Sequence, residues 1–295
     1  MRLTRTKLSR RAFGLAAGAT LASGTFLRHA SAQQVIRIAL IPSEDSRAML
    51  AASDELLKAI EKNLGMKVQG FVASDYNGVI EALRANHVEV AYLGPFSYVL
   101  GASVAGIEAF ATAETAKAGR TFYHSQIIAL KENNYNSLED LKGKTFAFVD
   151  PSSTSGHLFP KAGLIKAGFD PDKHFGRVLF TGSHDSNALA VANKRVDAAT
   201  IADRIFDTAV ARKLIEADKF NVVWRSGPIP ESPTVWRKNL PDDLKAKIKT
   251  AFLNVKDIVW ADQGKLNRFV ETNDAAYDVI RDTAKALNLD LKKMK

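Results

Sequence analysis

The chain has 295 residues, 46% hydrophobic and 25% charged, the balance of a soluble globular protein long enough for two domains. It contains no cysteine, which excludes disulfides, thiolate metal sites, a cysteine nucleophile and a lipid-anchor cysteine. The formal charge of +9 is concentrated at one end. The first 32 residues hold six Lys or Arg and no acid, and the remainder carries 35 basic against 32 acidic side chains, too even to argue for nucleic acid.

Those 32 residues read as an export signal. Ser9-Arg10-Arg11-Ala12-Phe13 has the form of a twin-arginine motif, an Ala/Gly-rich segment runs to about Leu27, and Ala30-Ser31-Ala32 fits the small-residue cleavage rule. A basic mitochondrial-type presequence accounts for neither the arginine pair nor the Ala-Ser-Ala. The apolar run is too short to span a bilayer after export. The mature protein is expected to start near Gln33 and to be soluble and periplasmic.

From there strands and helices alternate. Val35–Ile41 reads as a strand, and a helix from about Ser46 is closed by Gly65. Met66–Val72 is a strand, Asp75 caps a helix carrying Val79, Ile80 and Leu83, and Val88–Leu93 is a strand ended by Gly94-Pro95. A short helix, 96–104, and a strand near Ala109–Thr112 complete a βαβαβ pattern. Tyr123–Leu130 is a long strand. The pattern then restarts with strands at 145–149, 177–181 and 196–201 and helices at 155–167 and 186–194. Asp75…Ala85-Asn86…Val88-Glu89 is loosely echoed by Asp185…Ala192-Asn193…Val196-Asp197, which fits two similar lobes. Asn221–Trp224 is a last strand of the second lobe. Gly227–Pro233 is a proline-stiffened crossing, Thr234–Arg237 returns to strand, and helices are expected at 241–254 and 265–287. The resulting architecture is α/β: two similar lobes with mixed, mainly parallel sheets joined by a two-strand hinge near 121–126 and 227–234. Lobe 1 takes residues 33–122 and 232–295, and lobe 2 takes 123–231.

The stretch from Lys144 to His157 organises the rest. Phe146–Val149 reads as a buried strand that Asp150-Pro151 ends. Ser152-Ser153-Thr154-Ser155-Gly156 follows, then Leu158, Ala162 and Ile165 at helical spacing. The hydroxyl run therefore sits at a helix N-terminus, where unpaired N–H groups and the positive dipole end favour an oxyanion. The simpler reading, an N-cap, needs one Ser or Thr. Tyr76, Tyr123, Ser125, His184, Asp203 and Glu231 also fall at strand ends or crossings, facing the expected cleft. Each has a plainer role open to it: Tyr76 a surface tyrosine, His184 a structural histidine, Asp203 a helix cap. Asp203 in the cleft is an acid for a cationic group. Glu231 beside an oxyanion makes sense where the anion brings a proton or another ligand group is cationic.

Catalytic motifs are scarce. Lys142-Gly-Lys-Thr145 copies the end of a phosphate-binding loop, but Leu138 stands where the upstream glycine is required. His157, His184 and Asp203 have no diagnostic metal spacing. An enzyme on this fold needs a nucleophile or base activated by a neighbour, and the only candidates, His184 with Asp185, are adjacent in sequence without a clear partner.

Tyr92-Leu-Gly-Pro95, Asp150-Pro-Ser-Ser-Thr-Ser-Gly156, Gly182-Ser-His-Asp185 and Ile229-Pro-Glu-Ser-Pro233, in that order along almost the whole mature chain, resemble the phosphonate-binding periplasmic proteins of ABC importers. That family includes phosphite and hypophosphite binders and is related to arsenite-binding sensor components. The resemblance implies a type II two-lobed solute-binding fold in which Ser153, Thr154 and Ser155 hold the phosphonate oxygens. It matches the family's histidine to His184 and its two cleft tyrosines to Tyr76 and Tyr123. It places a carboxylate for a ligand amino group near Asp203, and the carboxylate of the proline-rich crossing, usually Asp, at Glu231. Cysteine-dependent arsenite binding is excluded. The expectation is a monomeric periplasmic protein, without cofactor, metal or catalytic residues, that captures a phosphonate or phosphite-like oxyanion and delivers it to an ABC permease. The alternative is the ligand-binding component of an oxyanion sensor acting on a membrane receptor kinase.

Overall fold

The computed structural model describes residues 35–115, 119–260 and 263–293, so the twin-arginine stretch and the expected cleavage site lie outside the described residues. The first sheet opens with β1 (Ile36–Leu40), almost wholly buried. It is followed by α1 (Ser46–Ala52), α2 (Asp54–Leu64), β2 (Val68–Val72), α3 (Tyr76–Arg84), β3 (Val90–Tyr92), α4 (Pro95–Val104) and β4 (Ile107–Thr115). The single helix expected from Ser46 is two, parted at Ser53, whose hydroxyl donates to Met49 O instead of capping α2. Gly65 closes α2 in the left-handed conformation at φ +69, where a side chain would strain the backbone.

The chain crosses through β5 (Phe122–Tyr123) into β6 (Ser125–Leu130), then β7 (Thr145–Phe148), α5 (Phe159–Lys166), α6 (Pro171–His174) and β8 (Arg177–Phe180). It continues through α7 (His184–Ala192), β9 (Ala198–Ala202), α8 (Asp203–Ala211) and β10 (Phe220–Arg225). It returns through β11 (Ile229–Pro230), which pairs antiparallel with β5, into β12 (Pro233–Arg237). The chain ends with α9 (Asp242–Leu253), β13 (Lys256–Trp260), β14 (Gly264–Glu271) and α10 (Asp278–Ala286).

The two main sheets share one strand order. Lobe 1 runs β2-β1-β3-β12-β4, extended by β14 and β13, and lobe 2 runs β8-β7-β9-β6-β10. In each, three parallel strands are followed by the strand that has just crossed between lobes, β12 or β6, inserted antiparallel to both neighbours. That insertion corrects the expectation of mainly parallel sheets. The sheets are mixed, but among the described residues four strand pairs are parallel and seven antiparallel. Each inserted strand forms two antiparallel pairs, and the β13–β14 hairpin adds more.

The second correction concerns 265–287, where helical spacing predicts one long helix. The structure places β14 there first, and a helix begins only at Asp278. Leu266 and Phe269 point into the core three residues apart because the pairing of β14 with β4 shifts register between Leu266 and Arg268. A bulge of this kind adds a residue to one strand, which turns a period of two into a spacing of three.

Candidate functional site

The turn after β7 is built from short local bonds. The Asp150 carboxylate accepts the Ser152 N–H at 2.7 Å, and Ser153 Oγ accepts the Gly156 N–H at 3.0 Å, closing the N-terminus of a π-helical turn, Thr154–Leu158, that leads into α5. Gly156 is required by close approach, since a Cβ there would lie 2.4 Å from Val149 Cβ. Two buried hydroxyls on neighbouring strands hold the turn from behind: Ser125 Oγ donates to Ser155 O at 2.6 Å and Thr200 Oγ1 donates to Gly156 O at 2.7 Å.

The hydroxyl run therefore divides its work. Ser153 takes the capping role that any single residue could fill. Ser152 Oγ donates to Asn77 Oδ1 of α3 at 2.9 Å, and Thr154 Oγ1 accepts the Phe96 N–H of the first turn of α4 at 2.8 Å. These bonds join the two lobes, as do Ser97 Oγ to Ser152 O at 2.9 Å and His184 N to Ser43 O at 2.9 Å.

Between the lobes lies a small cavity lined by Ser43, Tyr76, Gly94, Tyr123, Ser153, Thr154, Ser155, His184, Arg204 and Ser232, with Ile41. In this arrangement it has about 10 Å³ of room, around one water's worth. Five helix N-termini meet there. Tyr76 is the first residue of α3, Gly94 caps α4, Ser153 caps the turn into α5, His184 opens α7, and Arg204 is second in α8. Each end brings the positive pole of its peptide dipoles. No carboxylate is among the lining residues.

His184 is 3% exposed. Burial, and secondarily the nearby Arg204 charge, push it down to about 3, so the ring is neutral at neutral pH. Its Nδ1 accepts the Ala202 N–H at 3.2 Å, which leaves the proton on Nε2 as a donor. The Tyr123 phenol is raised by burial, against the opposing pull of Arg204, and stays protonated. The cavity thus presents neutral hydroxyl and imidazole donors, one guanidinium and converging N–H dipoles.

Of the eight residues that the family resemblance assigns to the ligand, the structure brings six together here, Tyr76, Tyr123, Ser153, Thr154, Ser155 and His184, while Ser125, also expected at the cleft, lies behind the turn instead. Asp203 and Glu231 instead line an adjoining cavity of about 170 Å³, with Arg120, Asp207, Gln263 and Lys265; Tyr123 and Arg204 face both cavities. Asp203 is not the cap of α8, which is Ala202. Its carboxylate accepts the His124 N–H at 3.0 Å and pairs with Arg225 at 2.8 Å. Glu231 is 1% exposed and pairs with Arg204 at 3.1 Å.

Sequence reasoning missed Ser43, Gly94, Ser232 and Arg204. Ser43 and Gly94 lie past the carboxyl ends of β1 and β3 and follow from the same strand-end rule. Arg204 lies two residues past the carboxyl end of β9, beside Asp203, and follows from that rule as well. Among the described residues no cluster of three or more His, Asp or Glu could hold a metal, and no helix is long and apolar enough to cross a membrane.

Residues 38–277 match the family model described as the periplasmic substrate-binding protein of phosphonate ABC transporters. The chain is 37% identical over 228 residues to a phosphate-import protein of Mycolicibacterium smegmatis, covering 74% of this chain and 71% of that one. It is 37% identical over 234 residues to the phosphonates-binding periplasmic protein of Escherichia coli, covering 77% and 68%. Its fold matches the crystal structure of a binding-protein component of an ABC phosphonate transporter from Pseudomonas aeruginosa, with a TM-score of 0.77, 34% identity and 85% of each chain covered.

Proposed function

This chain belongs to the periplasmic substrate-binding proteins of phosphonate ABC transporters, and we propose that its inter-lobe cavity captures a phosphonate or phosphite-like oxyanion for delivery to an ABC permease. Its relatives are binding components of transporters, not enzymes. The observation that carries the reading is the meeting of five helix N-termini on a cavity that no carboxylate lines. Thr154, Ser155, Tyr123 and His184 supply side-chain donors to the oxyanion, and Tyr76 closes one wall. Each hydrogen bond to a charged oxygen contributes about 1.5–3 kcal/mol. Four or five of them, less the cost of immobilising ligand and lobes, give affinity at about the micromolar level or better.

The closed cavity is too small for a tetrahedral oxyanion to enter, so binding requires the lobes to part about the β5–β11 pair and reclose. Export through the twin-arginine signal, cleaved after Ala32, places the protein where such a ligand is met, and the monomer is the working unit. Calorimetry on the chain from Gln33 tests the reading with 2-aminoethylphosphonate, methylphosphonate, phosphite, phosphate and sulfate. Tight binding of a phosphorus oxyanion, with sulfate rejected, is expected. Heat-silent titrations across the panel overturn the reading.

A further inference from the structure

The two carboxylates that the adjoining cavity offers to a ligand's ammonium group, Glu231 and Asp203, are already paired within the chain. Glu231 faces Arg204 Nε at 3.1 Å and accepts Gln263 Nε2 at 3.2 Å and its neighbour Ser232 N at 3.1 Å. Asp203 holds Arg225 at 2.8 Å. The adjoining cavity sets Arg120, Arg204 and Lys265 against Asp203, Asp207 and Glu231, so its charges balance. An ammonium group placed there meets no net negative field to offset its lost hydration.

Arg204 decides this balance. Its side chain is 13% exposed, its guanidinium lies over the Tyr123 ring at 4.7 Å, and Nη2 reaches Ser232 Oγ at 3.3 Å. It lines both cavities, and so stands between the oxyanion pocket and the acid. Guanidinium does not lose its charge at any working pH.

Resting on the function proposed above, we infer that Arg204 is a specificity-determining residue. It sets a fixed cation beside the oxyanion and occupies Glu231, so the cleft takes phosphorus oxyanions whose remaining substituent is small and uncharged and rejects aminoalkylphosphonates. Discrimination of this kind comes from the unpaired charge forced on the wrong ligand.

The test is calorimetric titration of the full protein with methylphosphonate and 2-aminoethylphosphonate. The wild type binds methylphosphonate tighter by about tenfold or more. Arg204→Ala frees Glu231 and shrinks that ratio by about tenfold, and adding Glu231→Gln to it removes the gain, since the gain needs the acid's charge and not merely the space. If Arg204→Ala fails to fold, Glu231→Gln alone decides: it leaves the preference for methylphosphonate in place. Wild-type affinity for 2-aminoethylphosphonate equal to or above that for methylphosphonate, a ratio unmoved by Arg204→Ala, or selective loss of 2-aminoethylphosphonate in Glu231→Gln overturns the inference alone. Failure of the wild type to bind these two, phosphite or phosphate overturns the proposed function and this inference with it.

Discussion

Thr154 opens the π-helical turn with its backbone while its hydroxyl receives an N–H from the other lobe. Thr154→Val keeps the shape but leaves the buried Phe96 N–H without its acceptor when the lobes close, at a cost of about 1–3 kcal/mol. Oxyanion affinity should fall about 10–100-fold, with a smaller change in thermal stability, as read by calorimetry and a melting curve. Gly156→Ala acts the other way round. Its Cβ would meet Val149 at 2.4 Å, so a loss of about 1–3 kcal/mol in folding stability is expected, measured as a lower urea midpoint. The histidines give a pH signature. His184 and His157 are pushed by burial down to about 3 and about 4. Between about pH 6.5 and 4 the unfolded chain therefore binds up to two more protons on these rings than the folded one. Stability should fall as pH drops from about 6.5 to 5, by up to about 2 kcal/mol per histidine, and His157→Gln should flatten part of that slope in urea titrations. At this scale the sequence revealed the hydroxyl run but not its division of labour. One serine caps, while Thr154 and Ser152 bridge, and only the opposite lobe decides which is which. The position of Arg204 beside Asp203 at the end of β9 was legible, but its pairing was not, because its partner Glu231 lies on the return crossing and meets it only in the folded chain.

Several helices that follow a parallel strand were readable because they start with a cap residue and end near a glycine or asparagine, whereas α8, capped by Ala202 and ending at Ala211, has neither signal. Asp75 is an instance: its carboxylate accepts the Gly78 N–H at 2.7 Å, fixing the start of α3 and hence Tyr76. Asp75→Ala should lower stability by about 1 kcal/mol in chemical denaturation, and loosen Tyr76 enough to weaken oxyanion binding several-fold. What the chain order concealed were strands whose pattern depends on distant partners. β14 looks helical because its bulge against β4 spaces Leu266 and Phe269 by three. β12 and β6 sit between strands far from them in sequence, so the antiparallel insertion that shapes both sheets has no local signature.

At the scale of the whole molecule, the two lobes are also bridged by contacts that flank the cavity. Arg212 Nη1, from the C-cap of α8, reaches Glu44 Oε2 at 2.6 Å, and the Asp45 N–H donates to Asp185 Oδ2 at 2.7 Å. Glu44 is buried at 3% exposure, so removing its cation leaves a costly charge in the closed state that opening can hydrate. Arg212→Gln should therefore increase the open population, seen as a larger radius of gyration in small-angle scattering without ligand, and weaken oxyanion binding several-fold without altering which oxyanion is preferred. An unchanged scattering profile would show that this ion pair is incidental to closure.

The five helix ends are shared unequally, with α3 and α4 on one lobe and the Thr154 turn, α7 and α8 on the other. Neither set alone surrounds an anion, and water screens each as soon as the gap opens. The grip is a property of the seam, not of either jaw. On the function proposed above, a partner that prises the jaws apart would empty them without competing for a single bond to the cargo, because each half-site keeps only part of the dipoles and donors that would hold it.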